Sequence, residues 1–413
     1  MENSALLDEI YANPRDDNPR LIYADWLMDQ GDPRGEFISL QCQRNRLEST
    51  DPAFRRMRKR ELELLKQAKG AWVGPIQQMV DRFEFKRGFV SWVRMSLQKF
   101  IKHADELFRA APLGELELRL GNRRTKDLAK CHQLINITSL RLNKCRMEDK
   151  GLEPLTECPY LQNLEELKLT RSGLTDNGAR QLANCQHLAK LQTLDLYSNR
   201  IGAAGADAIA NSEVLSELNT LSLASNWIGD AGLSSIANSK TLTKLQKLEL
   251  YGVDYGIKGA VALLASRRLT SLSNLSLDRG WDQRSLRVPL ARAIAESMQL
   301  KLNSLDIGRQ EIGNEGLQLI VESKRVSSIN SLNLWSNSID NDGAKLLARS
   351  PFLEQLTHLN LSQNSVRLRG MMALGESKFL KRKSAIYLGA SGIGSQDQKL
   401  LREQFGKSFG HFQ

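Results

Sequence analysis

From residue 113 onward, one arrangement of apolar and polar positions recurs along the chain. It reads LxxLxLxxN, with substitutions, and begins at Leu113, Ile137, Leu164, Leu191, Leu218, Leu245, Leu272, Leu302, Ile329, Leu356 and, in degenerate form, Lys383. The interval is 27 residues almost throughout, with 24 for the first and 30 between Leu272 and Leu302. A fixed period of this length marks an array of structural repeats, each burying its apolar face against its neighbours. Within a unit, the alternation around LxL predicts a short strand, and the apolar spacing after it predicts a helix. The unit from Leu191 carries Leu194, Leu196, Asn199, Ile201, Gly205, Ala206, Ile209, Ala210, Ser212 and Leu215. The unit from Ile329 reproduces them as Leu332, Leu334, Asn337, Ile339, Gly343, Ala344, Leu347, Ala348, Ser350 and Leu353.

Stacked strands should form one parallel sheet on a concave side, with helices on the convex side, because helices take more width than strands about 4.8 Å apart. Asn199, Asn226, Asn337 and Asn364 should bind backbone groups that the ladder leaves unpaired, and Val253 and Gly280 interrupt that series. Glycine recurs near each helix start, from Gly151 to Gly370, where it costs about 1 kcal/mol relative to alanine. Close packing against the strand layer is the expected compensation. Strings such as Gly229 with Gly232 then read as repeat punctuation rather than phosphate-binding loops. Cys131, Cys158 and Cys185 occupy the small-residue slot that later units fill with serine, so they should be buried packing residues, as should Cys145 at an Asn position.

The 27-residue unit with its helix, and the Asn or Cys after the strand, resembles the ribonuclease-inhibitor type of leucine-rich repeat over residues 113 to about 405. The resemblance implies an α/β leucine-rich-repeat solenoid, a horseshoe of repeats over residues 113–391. It leaves the partner open, since the type includes ribonuclease inhibitors, Ran GTPase-activating proteins and innate-immunity receptors.

Ahead of the array, residues 4–12 and 19–30 read as amphipathic helices, the second opened by Pro19 and closed by Gly31 in a left-handed cap. Tyr23, Trp26 and Leu27 mark its buried side. Further helices are predicted over 35–48 and 53–69, and Phe83 to Met95 reads as a hairpin or irregular strand around Lys86-Arg87-Gly88. The segments Asn13-Pro14-Arg15-Asp16-Asp17-Asn18-Pro19-Arg20-Leu21-Ile22-Tyr23-Ala24-Asp25-Trp26-Leu27 and Gly31-Asp32-Pro33-Arg34-Gly35-Glu36-Phe37-Ile38 resemble the repeat-companion domain of bacterial multi-paralogue families. That resemblance implies a bacterial protein and supplies no biochemical role. Residues 1–50 are thus expected to be a helical companion domain, and 51–112 a lead-in forming the N-terminal cap. Residues 392–413 should be a capping helix, with Leu400, Leu401 and Phe405 on its apolar side, and a tail that frays after Gly406.

Charge adds a qualification. The chain carries a formal +11, but residues 1–43 hold nine acidic and three basic side chains and residues 44–69 nine basic and four acidic. No basic stripe with interleaved aromatics runs along the repeats, so nucleic acid is not the expected partner, and the run from Arg55 to Arg60 reads as a solvated helix face. The N-terminus MENSALLDEI has no basic stretch leading into an apolar core, and no run of eighteen apolar residues occurs, which predicts a soluble cytoplasmic protein away from membranes. Asp25 and Asp32 lie near Arg20, Arg34 and Glu36, which local ion pairs at a helix end explain better than catalysis. The five histidines are dispersed, no nucleophile accompanies a base, and five cysteines without a CxxC pair give no metal framework. No catalytic residue, metal or cofactor is implied.

Function should therefore reside in the strand residues that point away from the leucines. Those singled out for partner binding are Arg141, Lys168, Arg171, Asp195, Glu249, Asp278 and Arg309, with Tyr197, Tyr251 and Trp335 in one equivalent column. Large exposed aromatics are costly unless used, and they are enriched at binding hot spots. The face is nearly neutral overall, which speaks against a basic ribonuclease partner, and its basic first third suits a protein with an acidic patch. The net three extra residues of the longer interval fall around Trp281 to Arg287, which should form an inserted rim loop. A monomeric, non-catalytic protein-binding scaffold is the leading expectation. A GTPase-activating protein of the Ran type and a nucleic-acid binder remain as alternatives.

Overall fold

The computed structural model describes residues 3–13, 16–48, 51–74, 76–120, 125–280, 284–381, 384–389, 393–406 and 409–411. The chain forms two compact units, residues 1–147 with 154–169 and residues 148–153 with 170–413.

The first unit begins with four helices, α1 (Asn3–Ala12), α2 (Asn18–Asp29), α3 (Pro33–Arg44) and α4 (Pro52–Val73). Their ends follow from the sequence. Pro19 sits in the first turn of α2, and Gly31 beyond its end takes φ 72°, which glycine adopts without a Cβ penalty. Asp32 caps α3 by accepting from Arg34 N at 2.8 Å, and Asp51 caps α4 by accepting from Ala53 N at 2.7 Å. A short helix, α5 (Ile76–Met79), leads to an antiparallel hairpin of β1 (Arg82–Lys86) and β2 (Phe89–Ser96). Its turn is Arg87-Gly88, both at positive φ, the geometry that matches the right-handed twist of paired strands. Gly88 is required for a second reason, since a Cβ there would lie 2.2 Å from Ile38 Cγ1. Phe89 thereby joins Ile10, Tyr23, Ala24, Leu27, Ile38 and Cys42 in one buried cluster. After α6 (Leu97–Ala110), β2 runs parallel to β3 (Glu115–Arg119), followed by β4 (Ser139–Arg141) and β5 (Glu166–Lys168), so the hairpin's second strand opens the parallel series.

The charges near α2 are not the local ion pairs that the sequence pointed to. Asp25 is exposed, Arg20 is buried and donates to Asp16 O at 2.9 Å, and Glu36 takes a bidentate pair from Arg60 at 2.7 and 2.8 Å. Arg58 meets the fully buried Glu61 of its own helix at 3.2 Å, while Arg60 ties α4 to Glu36 on α3, so part of the basic run is engaged rather than simply solvated.

The second unit is a stack of strand-turn-helix repeats. Its strands are β6 (Thr193–Asp195), β7 (Thr220–Ser222), β8 (Lys247–Glu249), β9 (Asn274–Ser276), β10 (Ser304–Asp306), β11 (Ser331–Asn333), β12 (His358–Asn360), β13 (Ala385–Tyr387) and β14 (Phe409–His411). Each is parallel to the next and pairs in register from β6 to β13. The two leucines of each LxL element differ little: Leu194, Leu196, Leu221, Leu223, Leu248 and Leu250 are all fully buried, each stabilising the stack by about 1.5–3 kcal/mol. β14 corrects the expectation of a fraying tail, because the open edge of β13 offers unpaired backbone groups that residues 409–411 satisfy. In the last helix, Ser395–Phe405, Leu401 is fully buried and Leu400 is 45% exposed. The degenerate repeat start at Lys383 lies outside the described residues.

Asparagines stitch the turns together. Asn199 Oδ1 accepts from Ser172 N and Leu174 N at 3.0 and 3.1 Å, and Asn364 Oδ1 accepts from Asn337 N and Ile339 N at 2.9 and 3.0 Å. Their amides donate onward, that of Asn364 to Leu334 O at 2.8 Å. The small-residue slot is also a hydrogen-bond position: Ser212 Oγ donates to Ala183 O at 2.5 Å and Ser266 Oγ to Ala237 O at 2.6 Å. A thiol can make a weaker version, as Cys158 does to Ala129 O at 3.3 Å. Cys131 departs from the expectation and is only half-buried.

The helix-start glycines have a different cause from the one expected. A Cβ on Gly205 would lie 2.7 Å from Asp176 Oδ1 and 3.0 Å from Ala179 Cβ, both on the preceding helix, Asp176–Asn184. The gap admits a cap from the neighbouring repeat, because Asp176 Oδ1 accepts from Gly202 N at 2.6 Å and Gly205 N at 2.9 Å.

Candidate functional site

In each repeat the side chains two, four and six residues after the first leucine alternate away from the core and form the open face of the strands. On β6–β10 of the second unit these are Thr193, Asp195 and Tyr197; Thr220, Ser222 and Ala224; Lys247, Glu249 and Tyr251; Asn274, Ser276 and Asp278; Ser304, Asp306 and Gly308. The repeat after Leu218 contributes only small residues, and it stands between two that contribute tyrosine. A hollow of about 460 Å³ results, floored by Ser222, Ala224 and Ser276 and walled by Asp195, Tyr197, Glu249, Tyr251 and Asp306. Larger grooves of about 920 and 950 Å³ border the helix Asn341–Arg349, but none of the described buried polar atoms that lack a hydrogen bond lies in either.

The three column aromatics are half-buried rather than exposed, because arginines cover them. Arg171 stands 5.6 Å from the centre of the Tyr197 ring, and Arg309 lies 5.8 Å from Tyr251 and 4.1 Å from Trp335. The most exposed large apolar residue among those described is Trp227, at 66%, in the turn after β7. Asp195 Oδ1 accepts from Tyr197 N at 3.0 Å, and Glu249 pairs with Lys247 at 2.5 Å. Asp278, next to Tyr251 in the column, is 9% exposed, and its Oδ1 has no hydrogen-bond partner. Burial, then the nearby Asp306 carboxylate, push the Asp278 carboxyl up to about 7, with Arg309 opposing. Asp306 is also raised, again chiefly by burial.

The structure therefore gathers Asp195, Tyr197, Glu249 and Tyr251 around one hollow, with Asp278, Arg309 and Trp335 on the strands beyond it. Arg141 and Lys168 belong to the first unit and are engaged there: Arg141 meets Glu166 at 2.9 Å and Glu115 at 3.6 Å, and Lys168 meets Glu166 at 3.4 Å. Arg94 on β2 pairs with Glu117 on β3 at 3.0 Å. The basic character read from those residues is thus neutralised locally.

Sequence reading missed the roles of two residues where the asparagine series lapses. Arg279 is 1% exposed, stacks 4.0 Å from the Tyr255 ring, and donates to Val253 O at 3.4 Å and to Tyr255 O. It reaches the positions whose N–H groups an asparagine would bind, and having no acceptor it takes their carbonyls instead. Gln310 stands at the asparagine position of its own repeat. Its Oε1 accepts from Leu286 N at 3.2 Å, and its Nε2 donates to Leu277 O at 2.6 Å and Tyr255 OH at 2.9 Å. The signal was present, since glutamine is asparagine with one more methylene. Of the inserted loop, Trp281 to Gln283 lie outside the described residues, and the connection ends at Arg287, where the helix Arg287–Ser297 starts.

No group of three or more His, Cys, Asp or Glu side chains among the described residues is placed to hold a metal ion, and no described helix is long and apolar enough to cross a membrane. Burial first, then Asp17, raise the Cys42 thiol to about 12, which keeps it protonated.

A family model described as Leucine Rich repeat matches residues 133–155, 160–183, 187–210, 216–237 and 355–375. The fold is α/β with leucine-rich repeats in those stretches, preceded by a helical region. Among solved structures it is similar to a chain of the yeast Rad7 and Elc1 complex at 16% identity, over 71% of this chain and 73% of that one, with a TM-score of 0.45. It is similar to an internalin from Listeria monocytogenes at 18% identity, over 70% and 85%, with a TM-score of 0.39. A chain of the TLR13–ssRNA13 complex matches at 18% identity over 74% of this chain and 44% of that one, with a TM-score of 0.42. No curated protein matches the sequence.

Proposed function

We propose that the protein is a non-catalytic, monomeric cytoplasmic scaffold that holds a protein partner on the concave strand face of a ribonuclease-inhibitor-type array. Residues 1–50 act as the companion domain, 51–112 as the lead-in, and the last helix as the opposite cap. The observation that carries the reading is the open face of β6–β11. Stacking is satisfied by the leucines, asparagines and serines behind that face, yet it displays Tyr197, Tyr251 and Trp335 among polar groups. Aromatic side chains held rigid at the centre of a patch are what interface hot spots are built from.

The partner's charge is read separately for the two units. Arg141 and Lys168, which suited an acidic patch, are occupied by glutamates, whereas the hollow at Tyr197 and Tyr251 is lined by Asp195, Glu249 and Asp306 and by one base, Lys247, which pairs with Glu249. Carboxylates in that position repel phosphates, which disfavours nucleic acid there.

The test is affinity capture from the native cell. Replacement of Tyr197, Tyr251 and Trp335 together by alanine should abolish recovery of the co-purifying protein while the variant keeps its thermal transition. Undiminished recovery by that folded variant rules the face out.

A further inference from the structure

The hollow on β6–β10 has a more specific character than a general interaction face. Its two tyrosines stand two strands apart, about 10 Å at the usual strand spacing, with Ala224 of the intervening repeat between them. The covering arginines come from repeats outside this pair, Arg171 before Tyr197 and Arg309 after Tyr251. Both rings border the hollow. The small residues Thr220, Ser222 and Ala224 keep the space between the rings empty, so one group can enter from the open side.

The rim of that space is acidic. Asp195, Glu249 and Asp306 line it, against one lysine, Lys247. Aromatic walls and carboxylates at the rim together fit a cation with several N–H donors. A guanidinium has the planar shape to lie between two rings and the fork of donors to engage carboxylates.

We propose that this hollow is a receptor for an arginine side chain presented by the protein partner, held between Tyr197 and Tyr251 and bound at its edges by Asp195, Glu249 and Asp306. The inference rests on the concave-face reading above and adds the chemistry of what enters. Net charge alone would not have pointed to it, since a chain of +11 is expected to repel basic partners. The acidic hollow is a local reversal of that field.

The full-length protein is titrated with fluorescently labelled tetraarginine, tetraglutamate and tetraserine peptides, and with spermine as a cation that is not on a polypeptide. Binding of tetraarginine alone is expected. Tyr251→Ala, and the double change Asp195→Asn with Glu249→Gln, should each weaken it by about tenfold or more. These positions are half-buried and outside the leucine core, and an unchanged thermal transition confirms that each variant is folded. Lys345→Ala, on the helix side, should leave binding as it was. Failure of tetraarginine to bind, equal binding of tetraserine, or binding indifferent to the Tyr251 and double variants overturns the proposal. Spermine binding as tightly as the peptide overturns the assignment to a protein side chain. If the hollow binds no arginine while the triple alanine variant still loses its captured partner, the arginine receptor falls and the interaction face stands. If arginine binds and capture is unaffected, the opposite holds.

Discussion

Asp278 shows how a single side chain records the demands of the strand face. Its carboxyl titrates at about 7, against 3.8 for an unperturbed aspartate, because burial and the Asp306 carboxylate disfavour its charge more than Arg309 restores it. The native state thus holds this proton more tightly than the unfolded chain. Its contribution to stability is intact below about pH 4 and is lost as pH rises toward 7, after which it is constant. Asp278→Asn should remove that loss, leaving a variant more stable than the parent at pH 8 and no more stable near pH 4. Thermal melts of both proteins across that range decide the matter, and parallel pH profiles would show that Asp278 is charged and satisfied in the native state. At this scale the sequence was readable wherever a residue kept its ordinary role. Asn199 and Asn364 were identified because an asparagine after a strand has one job in such an array. Arg279 and Gln310 were not, because their roles depend on Val253 and Tyr255, one turn earlier in the stack for Arg279 and two turns earlier for Gln310.

At the scale of elements, the repeat-to-repeat cap is the feature that makes one helix depend on another. Asp230 Oδ1 accepts from Gly256 N at 2.6 Å and Gly259 N at 2.9 Å, so the N-terminus of the helix Ile257–Leu264 is completed by the preceding helix, Gly229–Asn238. A Cβ on Gly259 would fall 2.5 Å from that oxygen and 2.9 Å from Asp230 Cα. Gly259→Ala should therefore cost about 1–3 kcal/mol through overpacking, in spite of alanine's better helix propensity. Gly394→Ala, at a position with nothing within 4 Å and ordinary φ, should be close to neutral. Chemical denaturation compares them, and equal midpoints would mean that the glycines serve only local backbone geometry. The period of the chain displayed these helices and strands plainly. What it concealed was the reason for the glycines, because the atom filling the vacant Cβ position belongs to a residue 29 positions upstream. The strand at 409–411 was hidden too, since three residues are too few to show an alternation and only the free edge of β13 calls for them.

For the whole molecule, the informative quantity is what the strand face leaves unused. The alternation of leucines with other residues tells which side chains should point outward, and so singles out Tyr197, Tyr251 and Trp335. It could not reveal the hollow between the tyrosines, because a cavity is made by the residues that are small, Ser222 and Ala224, as much as by those that wall it. Nor could it show that Arg171 and Arg309 cover the aromatics, or that Arg141 and Lys168 are neutralised by Glu166, from the adjacent strand for Arg141 and from its own strand for Lys168. The most direct measurement is covalent side-chain footprinting of the protein with and without its captured partner. Protection of Tyr197, Tyr251 and Trp335, with the exposed Trp227 and the helix-side Lys345 and Arg349 labelled as before, is what partner binding on the strand face requires. Protection confined to the helix side, with the three aromatics labelled equally in both states, would contradict it.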